Sequence, residues 1–367
     1  MRIAFAGGGT GGHLVPGLHL LQHLVRAGEL ESLVWFTSGR SVEERVLAGL
    51  EERAAGAPVT RVRLRLEPPS GGAPSTAGLF WRTPAASRHA RAALQRHDVQ
   101  VVLGLGGFTS LPVVLAARRL RIPVVLFEIN ARWGRATKVL GRLADAVLVA
   151  WDDGVHAKAV CTGAPLPLEL TRAPEFEPDR EALAGDGWDP ARPLLLVLGG
   201  SQGARALNQF AAAHAREWTA AGLQVLHQVG PGRADEGAAD TPGYRAVEYA
   251  EDVPRLLSMA TAVLCRGGGS SLAEIGAAAR PALVVPYPHH PDQHQLANAE
   301  ALGAGVRIVP EAELGEGLAR EWIDWLGEAG REERFRMHEE LVRVVPREGS
   351  SRMVDVLRGL VRTPATT

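Results

Sequence analysis

Three times in this chain a short apolar run ends directly in a cluster of glycines: IAFA into GGGTGGH at 7–13, LLLVL into GGSQGAR at 199–205, and AVLC into RGGGSS at 266–271. Apolar runs of this length, bounded by turn residues, read as strands of a parallel sheet. Glycines immediately after such a strand let the backbone turn tightly into a helix and approach a ligand with no Cβ in the way. The combination points to open, doubly wound α/β sheets, which bind ligands beyond the carboxyl ends of their strands.

The same rhythm runs through the first 150 residues, with strands expected at Arg2–Ala6, Leu33–Phe36, Val99–Leu103, Val124–Phe127 and Ala146–Val149. It lapses between Thr162 and Pro193, where prolines stand at 165, 167, 174, 178, 190 and 193, and this stretch reads as a linker. Alternation then restarts with Leu194–Leu198, Gln224–Gln228, Ala262–Cys265, Ala282–Val285 and Val306–Val309. A chain of 367 residues exceeds one ordinary core. The expected fold class is α/β, with two Rossmann-like domains facing an interdomain cleft. The first covers residues 1–162, with a C-terminal helix at about 346–363 packed back on it, and the second covers 163–345.

Composition narrows the function. A net charge of -1 with 22% charged residues lacks the basic bias of a nucleic-acid binder, so no nucleic-acid partner is expected. Cys161 and Cys265 supply neither a metal-site spacing nor a disulfide framework. No apolar run approaches the roughly 20 residues needed to cross a bilayer, and MRIAFAGGG reads as a strand rather than a signal peptide, so any membrane contact is expected to be peripheral.

Residues 7–12 do not spell GxGxxG, and no acidic residue closes the second strand near Phe36, which argues against a nicotinamide cofactor; none is expected. Thr10, Gly11 and Gly12 instead form a candidate anion-facing turn. His13 follows at the entrance of a helix expected to begin near Leu14. A neutral imidazole there suits a general base, although a solvent-facing turn histidine has the same local sequence. In the second loop, Ser201 and Arg205 join backbone amides ahead of a helix. The third cluster places Ser270 and Ser271 at a helix start and Glu274 one turn inside. Glu274 can bond the two hydroxyls of a ribose, or merely complement the helix dipole. In PYPHHPDQHQLANA at 286–299, His294, Gln295 and Asn298 offer groups suited to sugar hydroxyls. The histidines at 289, 290 and 294 raise the question of a metal. The adjacent pair cannot readily face inward with His294, and only Asp292 is at hand to complete a set, so no metal is expected.

Together with LGLGGFTSLP at 103–112, FEINARWGRATKVLGRLAD at 127–145 and the block from Tyr249 to Ala299, these loops resemble the MurG family of N-acetylglucosaminyltransferases, of the inverting GT-B class. The resemblance spans most of the chain. It implies a peptidoglycan-building enzyme with UDP-N-acetylglucosamine as donor and undecaprenyl-pyrophosphoryl-muramoyl-pentapeptide as acceptor. His13 would be the catalytic base toward the muramoyl 4-hydroxyl, and Asn130 would position the acceptor or reacting centre, an Asx turn being its plainer reading. Phe108 would be a substrate-binding residue. Ser201, Arg205, Ser270 and Ser271 would meet the donor pyrophosphate, Glu274 the ribose, the Ala250 backbone the uracil, and His294 and Gln295, with Asn298 beside them, the sugar. Three departures stand out: GAPLP at 163–167 in place of a GNPVR-like hinge, Phe108 in place of a tyrosine, and Leu111 in place of a small residue.

A lipid-linked acceptor implies peripheral placement on the cytoplasmic face of the plasma membrane, against anionic lipid. LFWRTPAASRHAR at 79–91 supplies Leu79, Phe80 and Trp81 beside Arg82, Arg88 and Arg91, with Trp133, Arg132, Arg135, Lys138, Arg118, Arg119 and Arg121 as extensions. The competing reading of these aromatics is a core cluster. Rival functions are a diacylglycerol glycosyltransferase and a UDP-N-acetylglucosamine epimerase, which needs cleft carboxylates that the N-terminal loops do not show.

Overall fold

The computed structural model describes all residues except 9–10, 67–75, 153–155, 157, 238–240, 290–291 and 363–367. The chain forms two compact units. One runs from Met1 to Leu168 and resumes at Pro346, and the other is Glu169–Val345.

The first unit holds a seven-stranded parallel sheet in the order β3-β2-β1-β4-β5-β6-β7. Its strands are β1 (Arg2–Gly7), β2 (Ser32–Thr37), β3 (Val59–Arg63), β4 (Val101–Gly106), β5 (Val124–Glu128), β6 (Ala146–Val149) and β7 (Ala159–Cys161). Helices α1 (Gly11–Arg26), α2 (Ser41–Val46), α3 (Thr76–Arg96), α4 (Ser110–Leu120) and α5 (Arg135–Leu140) connect them. The central strands bury both faces, as their unbroken apolar sequence requires: Ile3, Ala4, Phe5 and Ala6 are all fully inaccessible. The strand order reverses between β1 and β4, so the loops after these two strands flank the switch point where doubly wound sheets place their ligands. Here α1 comes very close to the sheet: a Cβ on Gly17 would stand 2.6 Å from Leu105 and 2.9 Å from Trp35.

The second unit repeats the plan with six parallel strands in the order β10-β9-β8-β11-β12-β13. These are β8 (Leu194–Leu198), β9 (Gln224–Gln228), β10 (Tyr244–Val247), β11 (Ala262–Cys265), β12 (Ala282–Val284) and β13 (Val306–Ile308). Helices α6 (Arg205–Ala220), α7 (Gly269–Ala277) and α8 (His294–Glu300) follow β8, β11 and β12. Its switch point lies between β8 and β11, the strands that run into GGSQGAR and CRGGGSS.

The chain then returns to the first unit through α9 (Gly349–Arg362), which buries Met353, Val354 and Leu357. Arg358 pairs with Glu29 at 2.6 Å, and Ser350 Oγ accepts the amide of Leu166 at 3.1 Å. On α1, His19 and His23 stand 3.2 and 3.0 Å from the carbonyls of Pro165 and Leu166, so part of the GAPLP segment is held to the first unit.

Three elements differ from expectation in place. β4 starts two residues later than the apolar run that marks it, α1 begins at Gly11 rather than near Leu14, and the linker stretch contains a helix at Arg180–Gly185. The early start of α1 makes His13 its third residue rather than a residue ahead of it.

Candidate functional site

In the first unit the site is built around His13, which is half-buried on the first turn of α1. Its ring lies against the backbone after β4: a Cβ on Gly106 would stand 2.9 Å from His13 Cδ2, and one on Gly107 would stand 3.3 Å from Nδ1. Both glycines have positive φ, 103° and 73°, so the paired glycines serve the turn and make room for the imidazole. His13 Nδ1 is 3.2 Å from the Gly8 carbonyl oxygen. A carbonyl only accepts, so in the neutral ring Nδ1 carries the proton and Nε2 is the basic nitrogen. Burial holds the pKa below the ordinary histidine value, against the raising influences of the Gly8 carbonyl and the Glu128 carboxylate. Burial, rather than the helix terminus alone, keeps this imidazole neutral.

The glycine loop rests on two groups that the sequence did not single out. A Cβ on Gly8 would stand 2.4 Å from Glu43 Oε1 and 2.8 Å from Thr109 Oγ1. Glu43 is almost fully buried and ties down the loop after β2, accepting from Ser38 Oγ at 2.8 Å, Gly39 N at 2.6 Å and Arg40 N at 3.1 Å. The Arg40 guanidinium lies over the Phe108 ring at 5.5 Å, while Phe108 packs against the core. Gly11 and Gly12 open α1; Thr10 lies outside the described residues.

Asn130 follows β5 and is ordered by Glu128, which was also missed. Glu128 is buried at the end of β5 and accepts from Asn130 N, Asn130 Nδ2, Gly134 N and Thr137 Oγ1 at 3.1, 3.0, 2.9 and 2.6 Å. The FEIN segment is therefore a turn folded around its own glutamate. A lone acid ending an otherwise apolar strand is the sequence signal that could have found it.

In the second unit a cavity of about 380 Å³ opens beyond the carboxyl ends of β8 and β11. Of the expected residues, Arg205, Ser271 and Gln295 line it, together with Gly199, Gly200 and Gly203. Gln295 Oε1 accepts from the amides of Tyr287 at 2.9 Å and Gly267 at 3.3 Å, which assigns its oxygen to the protein and leaves Nε2 as the donor end. Arg266, Tyr287 and Glu311 also line the cavity and were not anticipated. The Arg266 guanidinium pairs with Glu311, donates to the Val285 carbonyl at 3.1 Å and stands 5.7 Å from the Tyr287 ring centroid. It is a fixed cation beside glycine-rich backbone, suited to an anionic ligand.

The other expected residues are not among those that line this cavity. Glu274 lies one turn beyond Ser271 on α7 and is buried, which pushes its pKa up to about 8. Asn298, expected at the sugar, is turned inward: it is fully buried and donates to the Gly267 carbonyl at 2.9 Å. It supports the loop and corrects the ligand role drawn from helical spacing. Ala250 is buried beyond β10, Ser201 and Ser270 are half-buried in their loops, and His294 is the first residue of α8.

The aromatic surface also needs revision. Trp133 is 8% exposed and stacks on His156 at 3.6 Å, so it is a core residue and does not extend a surface patch. Arg118 is tied to Asp145 at 3.0 Å. Trp81 is 78% exposed on α3, whereas the Phe80 side chain lies outside what is described. Among the described residues no helix is long and apolar enough to cross a membrane, and no group of three or more His, Cys, Asp or Glu could hold a metal ion. His290 lies outside the described residues.

Comparison with known proteins bears on this arrangement. The glycosyltransferase family 28 N-terminal domain matches residues 3–149 and the C-terminal domain of the same family matches residues 194–328. A UDP-N-acetylglucosamine–N-acetylmuramyl-(pentapeptide) pyrophosphoryl-undecaprenol N-acetylglucosamine transferase of Halorhodospira halophila is 36% identical over 322 residues, covering 85% of this chain and 86% of the relative. Among solved structures, MurG of Acinetobacter baumannii superposes with a TM-score of 0.71 at 23% identity, covering 97% of this chain and 99% of that one. A UDP-GlcNAc 2-epimerase from Neisseria meningitidis gives 0.63 at 14% identity, covering 98% and 100%. Likeness at such identities establishes a shared fold and does not separate transferase from epimerase. Sequence identity along most of both chains does separate them: the chain belongs to the MurG family of N-acetylglucosamine transferases, and its two halves carry the two domains of glycosyltransferase family 28.

Proposed function

We propose that this chain transfers N-acetylglucosamine from UDP-N-acetylglucosamine to the 4-hydroxyl of the muramoyl unit of undecaprenyl-pyrophosphoryl-MurNAc-pentapeptide, with inversion at the anomeric carbon. The observation that carries this reading is the seating of His13, whose Nδ1 contact with Gly8 makes Nε2 the basic nitrogen. That nitrogen accepts the hydroxyl proton as the oxygen attacks, and UDP leaves with the glycosidic electron pair. Asn130, held by Glu128, orients the acceptor. The amides of the glycine loops, Ser271, Arg205 and Arg266 take up the charge that develops on the leaving diphosphate, and Gln295 Nε2 donates to the sugar. Glu274, one turn beyond the cavity-lining Ser271 on the same helix, holds the ribose.

The protein works at the cytoplasmic face of the plasma membrane without spanning it. Support comes from exposed Trp81, and from a face of α5 and the turn after it where Arg135, Lys138, Val139, Arg142 and Leu143 are all exposed. Cations interleaved with apolar groups suit an anionic lipid surface, each basic residue contributing about 1 kcal/mol.

The test is incubation with labelled donor and a prenyl-pyrophosphoryl-muramoyl-pentapeptide, with His13→Ala alongside and the product read by mass spectrometry. A product one N-acetylhexosamine heavier, lost in the variant, supports the assignment. Transfer to diacylglycerol instead, or donor epimerisation without an acceptor, overturns it.

A further inference from the structure

His227 lies at the heart of the second unit, on β9, with no accessible surface, and the transfer reaction described above makes no use of it. Both ring nitrogens are engaged. Nε2 stands 3.0 Å from Asn208 Oδ1, and Nδ1 stands 2.5 Å from the Tyr244 hydroxyl. Asn208 fixes who donates. Its Nδ2 gives hydrogen bonds to the Val229 carbonyl at 2.8 Å and to Glu236 Oε2 at 2.7 Å, so its Oδ1 accepts. In the neutral ring, Nε2 then carries the proton and Tyr244 donates to Nδ1.

The far end of this chain of bonds lies against the loop that lines the cavity. A Cβ on Gly203 would fall 2.0 Å from the Val229 carbonyl oxygen, and one on Gly230 would fall 2.7 Å from Gly203 Cα, so the loop after β9 and the GGSQGAR loop lie back to back. Gln228, next to His227, donates to the Gly200 carbonyl at 3.0 Å. Gly200 and Gly203 line the cavity, as does Arg205, whose charge acts on Glu236, the second acceptor of Asn208.

We propose that His227 is a positioning residue for the nucleotide-sugar donor: through Asn208 it locks the loop after β9 against the GGSQGAR loop, and so sets the backbone amides and Arg205 that meet the diphosphate. This rests on the reading that the cavity takes the UDP moiety. It adds a buried support, three residues deep, that touches no ligand.

The test compares His227→Phe, which keeps an aromatic ring but can neither donate to Asn208 nor accept from Tyr244, with His227→Gln, whose Nε2 restores the donor. Thermal unfolding, UDP affinity by calorimetry and steady-state transfer are measured on each full-length protein. His227→Phe is expected to weaken UDP binding and raise KM for the donor about ten-fold, with kcat within about two-fold, and His227→Gln to recover most of the loss. Should the Phe variant not fold, Tyr244→Phe, which removes only the hydroxyl, is expected to raise the same KM about three-fold. A folded His227→Phe with wild-type UDP affinity, or one that loses kcat and keeps KM, overturns the proposal. Wild-type protein that does not bind UDP overturns the donor-cavity reading itself.

Discussion

Glu128 takes both nitrogens of Asn130, the backbone amide at 3.1 Å and the side-chain amide at 3.0 Å. This fixes which way the asparagine amide points: its nitrogen faces the carboxylate and its oxygen faces away. Glu128→Gln should disturb that arrangement, because one carboxylate oxygen becomes a second donor facing donors. The expected result is a fall in kcat of about 100-fold with the donor KM nearly unchanged. Steady-state kinetics with each substrate varied in turn would check it, and a wild-type kcat would remove the FEIN turn from the reaction.

The same carboxylate reaches His13 electrostatically. Because the folded pKa of His13 is lowered, its imidazole stays deprotonated at neutral pH, and if it is the base, its titration should cut activity on the acid side, below the ordinary histidine value of about 6.5. Glu128 raises that pKa, so its neutralisation should shift the acid limb of kcat/KM further down. A pH profile of the residual activity of Glu128→Gln reads the shift, and an upward move would contradict the arrangement. His13→Ala should cost roughly 100- to 10,000-fold in kcat.

Gly106→Ala tests the seat of the imidazole without touching His13. The added methyl would meet the ring at 2.9 Å on a residue with φ of 103°. Unfolding should shift by about 1–3 kcal/mol from backbone strain, and kcat should fall at least ten-fold. Calorimetry and transfer assays together would reveal a variant that is destabilised yet fully active, which would show that His13 does not depend on this seat.

Glu274 makes a prediction of the opposite kind. Its folded pKa is raised to about 8 by burial, so between pH 4.5 and 8 the unfolded chain has released the proton while the folded chain still holds it. Ligand-free protein therefore loses stability as pH rises across that window. Glu274→Gln should flatten this dependence and raise Tm at pH 8 by a few degrees, while increasing the donor KM about ten-fold. Thermal melts across pH, with and without UDP, would separate the two effects.

The glycine loops were legible because their signal is local: a strand, a cluster of small residues and a helix follow one another within a few positions. The strand β3 was not read, since VTRVR places an arginine inside a short edge strand and breaks the apolar run. β4 was placed too early because glycines 104 and 106 still pair within the sheet, although they look like turn. Trp133 looked like an interfacial aromatic because arginines flank it in sequence; only the stacked ring of His156, 23 positions away, reveals it as core. Asn298 sits one helical turn from the cavity-lining Gln295, and its inward turn depends on the Gly267 carbonyl across the fold. Arg266 and Glu128 are single charges at strand ends. Such charges gain meaning only when the topology shows which loops gather there.

The return of the chain through α9 has a consequence for how the protein is made. Arg358 and Glu29 are 329 positions apart, yet α9 packs on α1, and its Met353, Val354 and Leu357 are buried. On the ribosome the whole second unit is polymerised before this helix exists. Until then the surface of α1 that it covers stays bare, so the half that begins first is finished last. A nascent chain stalled after Val345 would carry a complete second unit and an unsealed first unit, which makes the first unit the one that needs protection during synthesis.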